Sequence, residues 1–292
     1  MQADVSSAIK GMDGFLMGGK IRLDAPAGVR RYSIRMIEIP DTLGLRGRRA
    51  LVTGASRGIG AAVVRLLARA GVDVAVGYNT RRADAELVAG DARKMGVRAV
   101  PVAADVSTRA GSGMLVGTAL AELGGLDIFI GNAGIWPSHD VPLAEMTDEQ
   151  WDRTVRQNLD SVFYTARDAI QVMPNGGKIV LVSSTAGQRG EAFHADYAAT
   201  KGAIISFTKS LAVELGQRDI TVNCVAPGWV DTEMVQDAIA ESGMERISTS
   251  IPLGRIATAE DIAGPIVFLC SPMARHITGE VLNVNGGSVL CG

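Results

Sequence analysis

Hydrophobic and polar positions follow two alternating patterns from about residue 49 to the end of the chain. Short runs rich in β-branched residues predict seven strands, at residues 49–53, 72–78, 99–103, 126–131, 178–183, 221–225 and 281–284. Between them, apolar residues recur at helical spacing and predict helices at residues 61–70, 85–95, 149–173, 196–216 and 259–269. Such alternation is typical of βαβ units, which build a parallel sheet covered on both faces. We therefore expect one α/β domain with a doubly wound parallel sheet over residues 45–292.

The first 44 residues show neither pattern and are interrupted by glycine and proline. Residues 1–49 hold nine basic and five acidic side chains, whereas the rest of the chain carries a net charge of −6. No compact apolar stretch follows a basic start, as a secretory signal requires, and organelle-targeting peptides are poorer in acidic residues. We interpret residues 1–44 as an appended segment, either a flexible extension or the product of an upstream start codon, with Met36 as the alternative start.

Composition excludes several classes of function. The 292 residues carry a net charge of −2, so no global basic field predicts a nucleic-acid partner. No run approaches the roughly 18 consecutive apolar residues of a membrane-spanning helix. Three cysteines and three histidines lack the spacing of a disulfide framework or a metal site. We expect a cytoplasmic protein that binds no metal.

A glycine-rich loop at the first strand–helix junction is the first chemical signal. Gly54, Gly58 and Gly60 follow the strand at residues 49–53 and open an alanine-rich helix. In that context we assign Gly54 to a tight turn, Gly58 to close approach of a diphosphate, and Gly60 to close packing of helix on strand. The loop predicts a dinucleotide site.

Tyr197 and Lys201 are the second signal. On a helix they lie at positions i and i+4, so phenol and ammonium share one face, and a neighbouring cation favours the phenolate. A tyrosine whose pKa is lowered in this way is usable as a general acid or base. Ser183 and Ser184 end the preceding strand, where doubly wound folds place their sites, and a hydroxyl there can bind a carbonyl oxygen.

These features together resemble the short-chain dehydrogenase/reductase family. The resemblance rests on the glycine loop from Thr53 to Gly60, on Ser184 and on three further motifs, Asn132-Ala133-Gly134, Tyr197-x3-Lys201 and Pro227-Gly228, all in the family's order. It covers the chain from about residue 45 onward and is strongest toward 3-oxoacyl-carrier-protein reductases and small-ketone reductases. It implies a Rossmann-type sheet of seven parallel strands in the order 3-2-1-4-5-6-7, and a homodimer or homotetramer.

The resemblance also implies roles for individual residues. Tyr197 would exchange a proton with the substrate oxygen, Lys201 would lower its pKa and hold the nicotinamide ribose, and Ser184 would orient the substrate. Asn158 matches the asparagine that anchors a proton-relay water. The cofactor contacts implied are Gly54, Ser56, Arg57, Gly58, Ile59, Gly60, Asn79, Arg81, Asp105, Val106, Asn132, Ala133, Gly134, Tyr197, Lys201, Pro227, Gly228, Val230 and Thr232. On sequence alone, Thr232 is equally suited to capping the next helix.

The choice of nicotinamide cofactor depends on charge. A carboxylate at the end of the second strand would bind the ribose 2′-hydroxyl and repel a 2′-phosphate. That strand instead runs into Asn79, and Arg57, Arg81 and Arg82 are available to pair with a phosphate dianion. The sequence therefore favours NADP(H), with NAD(H) as the alternative.

The sequence defines the substrate less closely than the cofactor. Residues flanking the motifs predict pocket walls at Trp136, Gln188, Glu191, Phe193, His194, Trp229 and Met234, and residues 233–255 predict a helical flap. Arg218 matches one basic position by which carrier-protein reductases hold their partner, but the second position, near residues 173–177, has no basic residue. We expect an oxidoreductase acting on a small carbonyl compound or an acyl thioester. An NAD-dependent secondary-alcohol dehydrogenase and a catalytically silent cofactor-binding protein are the alternatives.

Overall fold

Seven parallel strands form the central sheet of the protein in the computed structural model, which describes residues 43–290, Asp41, and the backbone of two short antiparallel strands, Leu16–Met17 and Lys20–Ile21. The strands of the sheet are β1 (Arg49–Val52), β2 (Asp73–Tyr78), β3 (Ala99–Ala103), β4 (Ile128–Gly131), β5 (Lys178–Val182), β6 (Thr221–Pro227) and β7 (Val281–Val284). Their order across the sheet is β3-β2-β1-β4-β5-β6-β7, which confirms the predicted Rossmann-type order.

Alternation along each strand divides the core into two layers. On β1, the side chains of Ala50 and Val52 belong to one apolar cluster and that of Leu51 to the other, because successive residues face opposite sides of a sheet. Burial on both faces explains why the strands are continuous apolar runs.

Helices cover both faces of the sheet. The first layer contains α1 (Gly58–Arg69), α2 (Arg82–Lys94) and α10 (Ala259–Cys270), and the second contains α3 (Arg109–Leu123), α5 (Ser161–Val172) and α7 (Ala195–Leu215). The shorter helices are α4 (Asp148–Val155), α6 (Thr185–Arg189), α8 (Gln236–Ser242) and α9 (Met244–Thr249). Three-residue 3₁₀ turns lie at Leu143–Glu145, Gly216–Arg218, Glu233–Val235 and Pro272–Ala274.

The predicted helix at residues 149–173 is interrupted. The structure has α4, then a π-helical segment at Arg156–Asp160, and then α5. A wide turn of this kind displaces side chains from regular helical positions and is often found at functional sites. It carries Asn158 into the core, where its side chain is fully buried.

The predicted N-terminal extension remains a prediction. Apart from the two short strands, residues 1–40 and Thr42 lie outside the described residues, as does the alternative start at Met36. From Leu43 onward the chain forms one compact unit.

Candidate active site

A cavity of about 410 Å³ opens at the edge of the sheet where the strands end. Its walls include residues at or just after the ends of β1 to β6, among them Thr53, Asn79, Asn132, Ser184 and Gly228. Doubly wound folds place their ligands at this edge, on either side of the first strand, because helices leave the sheet there in opposite directions.

The glycine loop forms a tight cradle on the floor of this cavity. Gly54 and Gly58 have positive φ angles of 61° and 53°. A Cβ on Gly60 would lie 2.4 Å from the Gly54 carbonyl oxygen, so only glycine allows α1 to begin this close to the loop. Arg57 precedes α1 without a side-chain cap, and the first turn has no acidic residue. The positive end of this helix dipole therefore suits a diphosphate, and the residues present fit a dinucleotide.

Nearly all of the predicted cofactor residues line this one cavity. Gly60 is the exception, because its role is the packing just described. Tyr197 and Lys201 lie on α7, and the others lie at or after the ends of β1, β2, β3, β4 and β6. The residues that line the cavity are Gly54, Ser56, Arg57, Gly58, Ile59, Asn79, Arg81, Asp105, Val106, Asn132, Ala133, Gly134, Tyr197, Lys201, Pro227, Gly228, Val230 and Thr232. The side chain of Thr232 makes no capping bond to the turn that follows it, so the capping alternative is not what the structure shows.

Ser184, Tyr197 and Lys201 also converge on this cavity. The Lys201 Nζ lies 5.6 Å from the centroid of the Tyr197 ring and donates to the Val182 carbonyl oxygen at 3.0 Å. Ser184 caps α6, with its Oγ accepting from the Ala186 amide at 3.1 Å, and it lines the cavity. Ser183 instead donates to the carbonyl oxygen of Lys201 at 2.7 Å, which fixes α7 against β5. The Ser184 hydroxyl is therefore the one that acts on Tyr197, whereas the Ser183 hydroxyl is engaged by the backbone.

Burial governs the titration of the Tyr197–Lys201 pair. It raises the pKa of the Tyr197 phenol well above its ordinary value, with the Ser184 hydroxyl acting in the opposite direction and the charge of Glu191 adding to the increase. It lowers the pKa of Lys201 to about 8, against a small opposing effect of Cys224. The lowered phenol pKa expected from the neighbouring lysine is therefore not found here, because desolvation outweighs the effect of the ammonium.

Asn158 lies behind the cavity wall and does not line it. Its Oδ1 accepts from the Ile135 amide at 2.7 Å and its Nδ2 donates to the Ile135 carbonyl oxygen at 3.0 Å. A Cβ on Gly134 would lie 2.8 Å from the Asn158 Oδ1 and 3.5 Å from the Lys201 Nζ. The side chain therefore positions the loop after β4 beside Lys201.

Four of the seven predicted pocket walls face the cavity, namely Trp136, Glu191, Trp229 and Met234. Gln188 instead binds Asn283, and Phe193 is half exposed. His194 is buried and stacks on Trp136, with ring centroids 4.8 Å apart, so it lies behind the cavity wall. Gln157 and Arg189 also line the cavity, although no sequence motif marked them, and Glu233 and Val235 line it from the start of the predicted flap.

Glu191 is a partly desolvated carboxyl group in this wall. Burial raises its pKa, while His194, the hydrogen bond from Trp136 and the charge of Arg189 act in the opposite direction. The charge of Glu191 in turn raises the pKa of the Tyr197 phenol.

Arg57 and Arg81, predicted to select a phosphate, pair with a carboxylate of this chain. The Glu233 Oε2 lies 2.5 Å from the Arg57 Nη1 and 2.9 Å from the Arg81 Nη2. Arg81 also lies 3.3 Å from Asp84. The two guanidinium groups are therefore neutralised within the structure.

Arg218 does not face the cavity. It precedes β6 and donates to the carbonyl oxygens of Ile170 and Met173 at 3.0 and 2.5 Å. Since β6 has seven residues and ends at the cavity, roughly 20 Å of strand separates Arg218 from the cavity.

In residues 43–290, no helix is both long and apolar enough to cross a membrane. Among the same residues, no group of three His, Cys, Asp or Glu side chains is arranged to hold a metal ion.

Comparisons with known proteins identify the family. A family model described as Enoyl-(Acyl carrier protein) reductase matches residues 54–288. The 3-oxoacyl-[acyl-carrier-protein] reductase FabG of Staphylococcus aureus is 39% identical over 240 residues, which cover 82% of this chain and 96% of that protein. The solved short-chain dehydrogenase/reductase of Serratia marcescens is 37% identical with a TM-score of 0.79, covering 84% of this chain and 99% of that one. The chain belongs to the short-chain dehydrogenase/reductase family.

This member of the family is thus an oxidoreductase with a Rossmann-type fold. A second solved structure, a blue fluorescent protein from a metagenomic library in complex with NADPH, is 36% identical with a TM-score of 0.79. The match covers 85% of this chain and all of that one.

Proposed function

We propose that this chain is an NADP(H)-dependent oxidoreductase that interconverts a ketone and a secondary alcohol. The observation that carries the proposal is the convergence of Ser184, Tyr197 and Lys201 on the cavity that also holds the glycine cradle. A hydroxyl, a phenol and an ammonium group beside a nucleotide site are the groups that carbonyl reduction needs.

In the proposed mechanism, a nicotinamide bound in the cavity would supply the hydride that reaches the carbonyl carbon. Ser184 and Tyr197 donate hydrogen bonds to the carbonyl oxygen, where negative charge develops, and Tyr197 passes its proton to that oxygen. Burial raises the pKa of Tyr197 further above neutral pH, so the phenol carries the proton that it donates in the direction of reduction. Lys201 adds positive charge beside the phenol, and Asn158 holds the loop that packs against Lys201.

The preference for NADP(H) rests on the loop after β2. No carboxylate ends that strand, Asn79 and Arg81 line the cavity there, and Arg57 lies in the glycine loop. The likeness to a protein solved with NADPH supports the same choice. NAD(H) is the alternative cofactor.

The proposed substrate is a freely diffusing ketone with a flat apolar substituent. Trp136 and Trp229 line the cavity and meet edge to face, with centroids 6.2 Å apart, and so offer an aromatic wall. A 3-oxoacyl thioester is the second candidate, supported by the likeness to the Staphylococcus aureus reductase. The engagement of Arg218 on the far edge of the sheet disfavours a carrier protein held at the cavity mouth by that residue.

The test is consumption of NADPH or NADH across a panel of aromatic ketones, aliphatic ketones and 3-oxoacyl thioesters. We expect turnover with NADPH, fastest on an aromatic ketone. Ser184→Ala should lower turnover about 10²-fold through loss of a hydrogen bond made to the developing oxyanion. Ser206→Ala, an exposed serine of α7, should leave turnover unchanged. Retained NADPH binding without turnover on any member of the panel would contradict an enzymatic role.

A further inference from the structure

Glu233 lies where the flap at residues 233–255 meets the nucleotide loops. Its Oε2 accepts from Arg57 and from Arg81 at 2.5 and 2.9 Å, and all three residues line the cavity. Arg57 belongs to the loop after β1 and Arg81 to the loop after β2. One carboxylate therefore joins the flap to both loops of the nucleotide site.

The Glu233 carboxylate binds the same two arginines that are assigned to the 2′-phosphate of the cofactor. The proposed function gives Arg57 and Arg81 to the 2′-phosphate of NADP(H). In the structure, Glu233 and Asp84 already balance the two guanidinium charges. A phosphate that binds between these guanidinium groups must therefore displace the Glu233 carboxylate.

We propose that Glu233 occupies the 2′-phosphate subsite and determines cofactor selectivity, a proposal that rests on the proposed use of NADP(H). The phosphate, with more negative charge and three acceptor oxygens, displaces the carboxylate and releases the start of the flap. A 2′-hydroxyl carries no charge and leaves the ion pairs intact. Glu233 thus weakens binding of 2′-phosphorylated nucleotides alone.

The strength of the effect follows from exposure. The side chains of Arg57 and Arg81 are each 44% exposed and that of Glu233 is 56% exposed. Exposed ion pairs are weak, so the carboxylate is a competitor that a phosphate can displace. Removing its charge should tighten binding of a 2′-phosphorylated nucleotide about fivefold.

The test is calorimetric binding of adenosine 2′,5′-bisphosphate and of 5′-AMP to the full chain, which requires no turnover. We expect Glu233→Gln to bind the bisphosphate about fivefold more tightly and 5′-AMP as the wild type does. Glu245→Gln, an exposed glutamate of the same flap, is the matched control and should change neither affinity. In an Arg57→Gln/Arg81→Gln background, the gain from Glu233→Gln should disappear.

The outcomes separate this inference from the proposed function. If the arginine variants weaken bisphosphate binding but Glu233→Gln leaves it unchanged or weaker, the inference fails and the use of NADP(H) stands. If the arginine variants do not affect bisphosphate binding, both fail. An equal gain for both nucleotides with Glu233→Gln would also overturn the inference, because the effect would not concern the 2′-phosphate.

Discussion

Replacing Lys201 with methionine should remove activity and stabilise the fold. Lys201 is buried, and burial lowers its pKa from 10.5 to about 8. A buried ammonium with a lowered pKa costs folding free energy at neutral pH, since the folded state holds the charge less favourably than the unfolded chain does. Methionine fills a similar volume without that charge.

The size of the effect follows from the shift. A pKa lowered by about 2.5 units corresponds to about 3 kcal/mol of unfavourable free energy at pH 7. The variant avoids this cost but loses the 3.0 Å hydrogen bond to the Val182 carbonyl oxygen, which lowers its stability by about 1 to 2 kcal/mol. We therefore expect Lys201→Met to be about 1 to 2 kcal/mol more stable, which corresponds to a rise in Tm of about 2 to 6 °C.

The extra stability of Lys201→Met should decrease as the pH rises. Between pH 8 and 10.5 the unfolded lysine binds more protons than the folded one, so the wild type gains stability as the pH rises. Below pH 8 both states hold the proton and the advantage of the variant is complete. By pH 9.5 the wild type recovers about 2 kcal/mol, and the advantage of the variant vanishes.

The assay is thermal unfolding of the full chain without added nucleotide, at pH 7 and pH 9.5. Lys209→Met, at an exposed position of the same helix, is the matched control and should show no such dependence. A Lys201→Met variant that is less stable than the wild type, by an amount that does not change with pH, would refute the reasoning.

Three other predictions concern the cradle, the sheet and assembly. Gly60→Ala should abolish nucleotide binding measured by calorimetry, because its Cβ would lie 2.4 Å from a carbonyl oxygen, whereas Gly117→Ala, within α3, should not. Asp127→Asn should lower the free energy of unfolding, measured with denaturant, by about 1 to 3 kcal/mol. Burial alone raises the pKa of Asp127, but hydrogen bonds from Arg49 lower it overall, so the wild type should lose this advantage as the pH falls through the lowered pKa. Light scattering should show a dimer or tetramer, the assembly that the family resemblance implies, and Val213→Asp, at a position of α7 where the side chain is 85% exposed, should weaken that assembly.

The sheet was predictable because burial on both faces makes each strand a short continuous apolar run. The helix α3 was not predicted, since it contains three glycines and its apolar residues do not concentrate on one face. It is defined instead by Thr108, whose side chain caps its first turn, and by Gly124 at its end. The π-helical segment around Asn158 also left no periodic signal, and the hydrogen bond of Asn158 to the loop after β4 is visible only in the structure.

Local spacing predicted the pairing of Tyr197 with Lys201 but not its titration. The direction of a pKa shift depends on desolvation, and helical spacing does not reveal how deeply a pair is buried. The Glu233 contact was equally inaccessible, because 176 residues separate it from Arg57 and the fold of the flap brings them together. Sequence motifs thus located the groups of the site, whereas their electrostatic environment required the structure.

Turnover by Tyr197→Phe tests the central claim most directly, with NADPH and the best ketone of the panel. The phenol hydroxyl is the proton donor in the proposed mechanism, so the variant should lose about 10²- to 10⁴-fold in turnover while its affinity for NADPH stays within about threefold of the wild type. Tyr164→Phe, on α5 and away from the cavity, should behave as the wild type. Wild-type turnover by Tyr197→Phe would contradict the account.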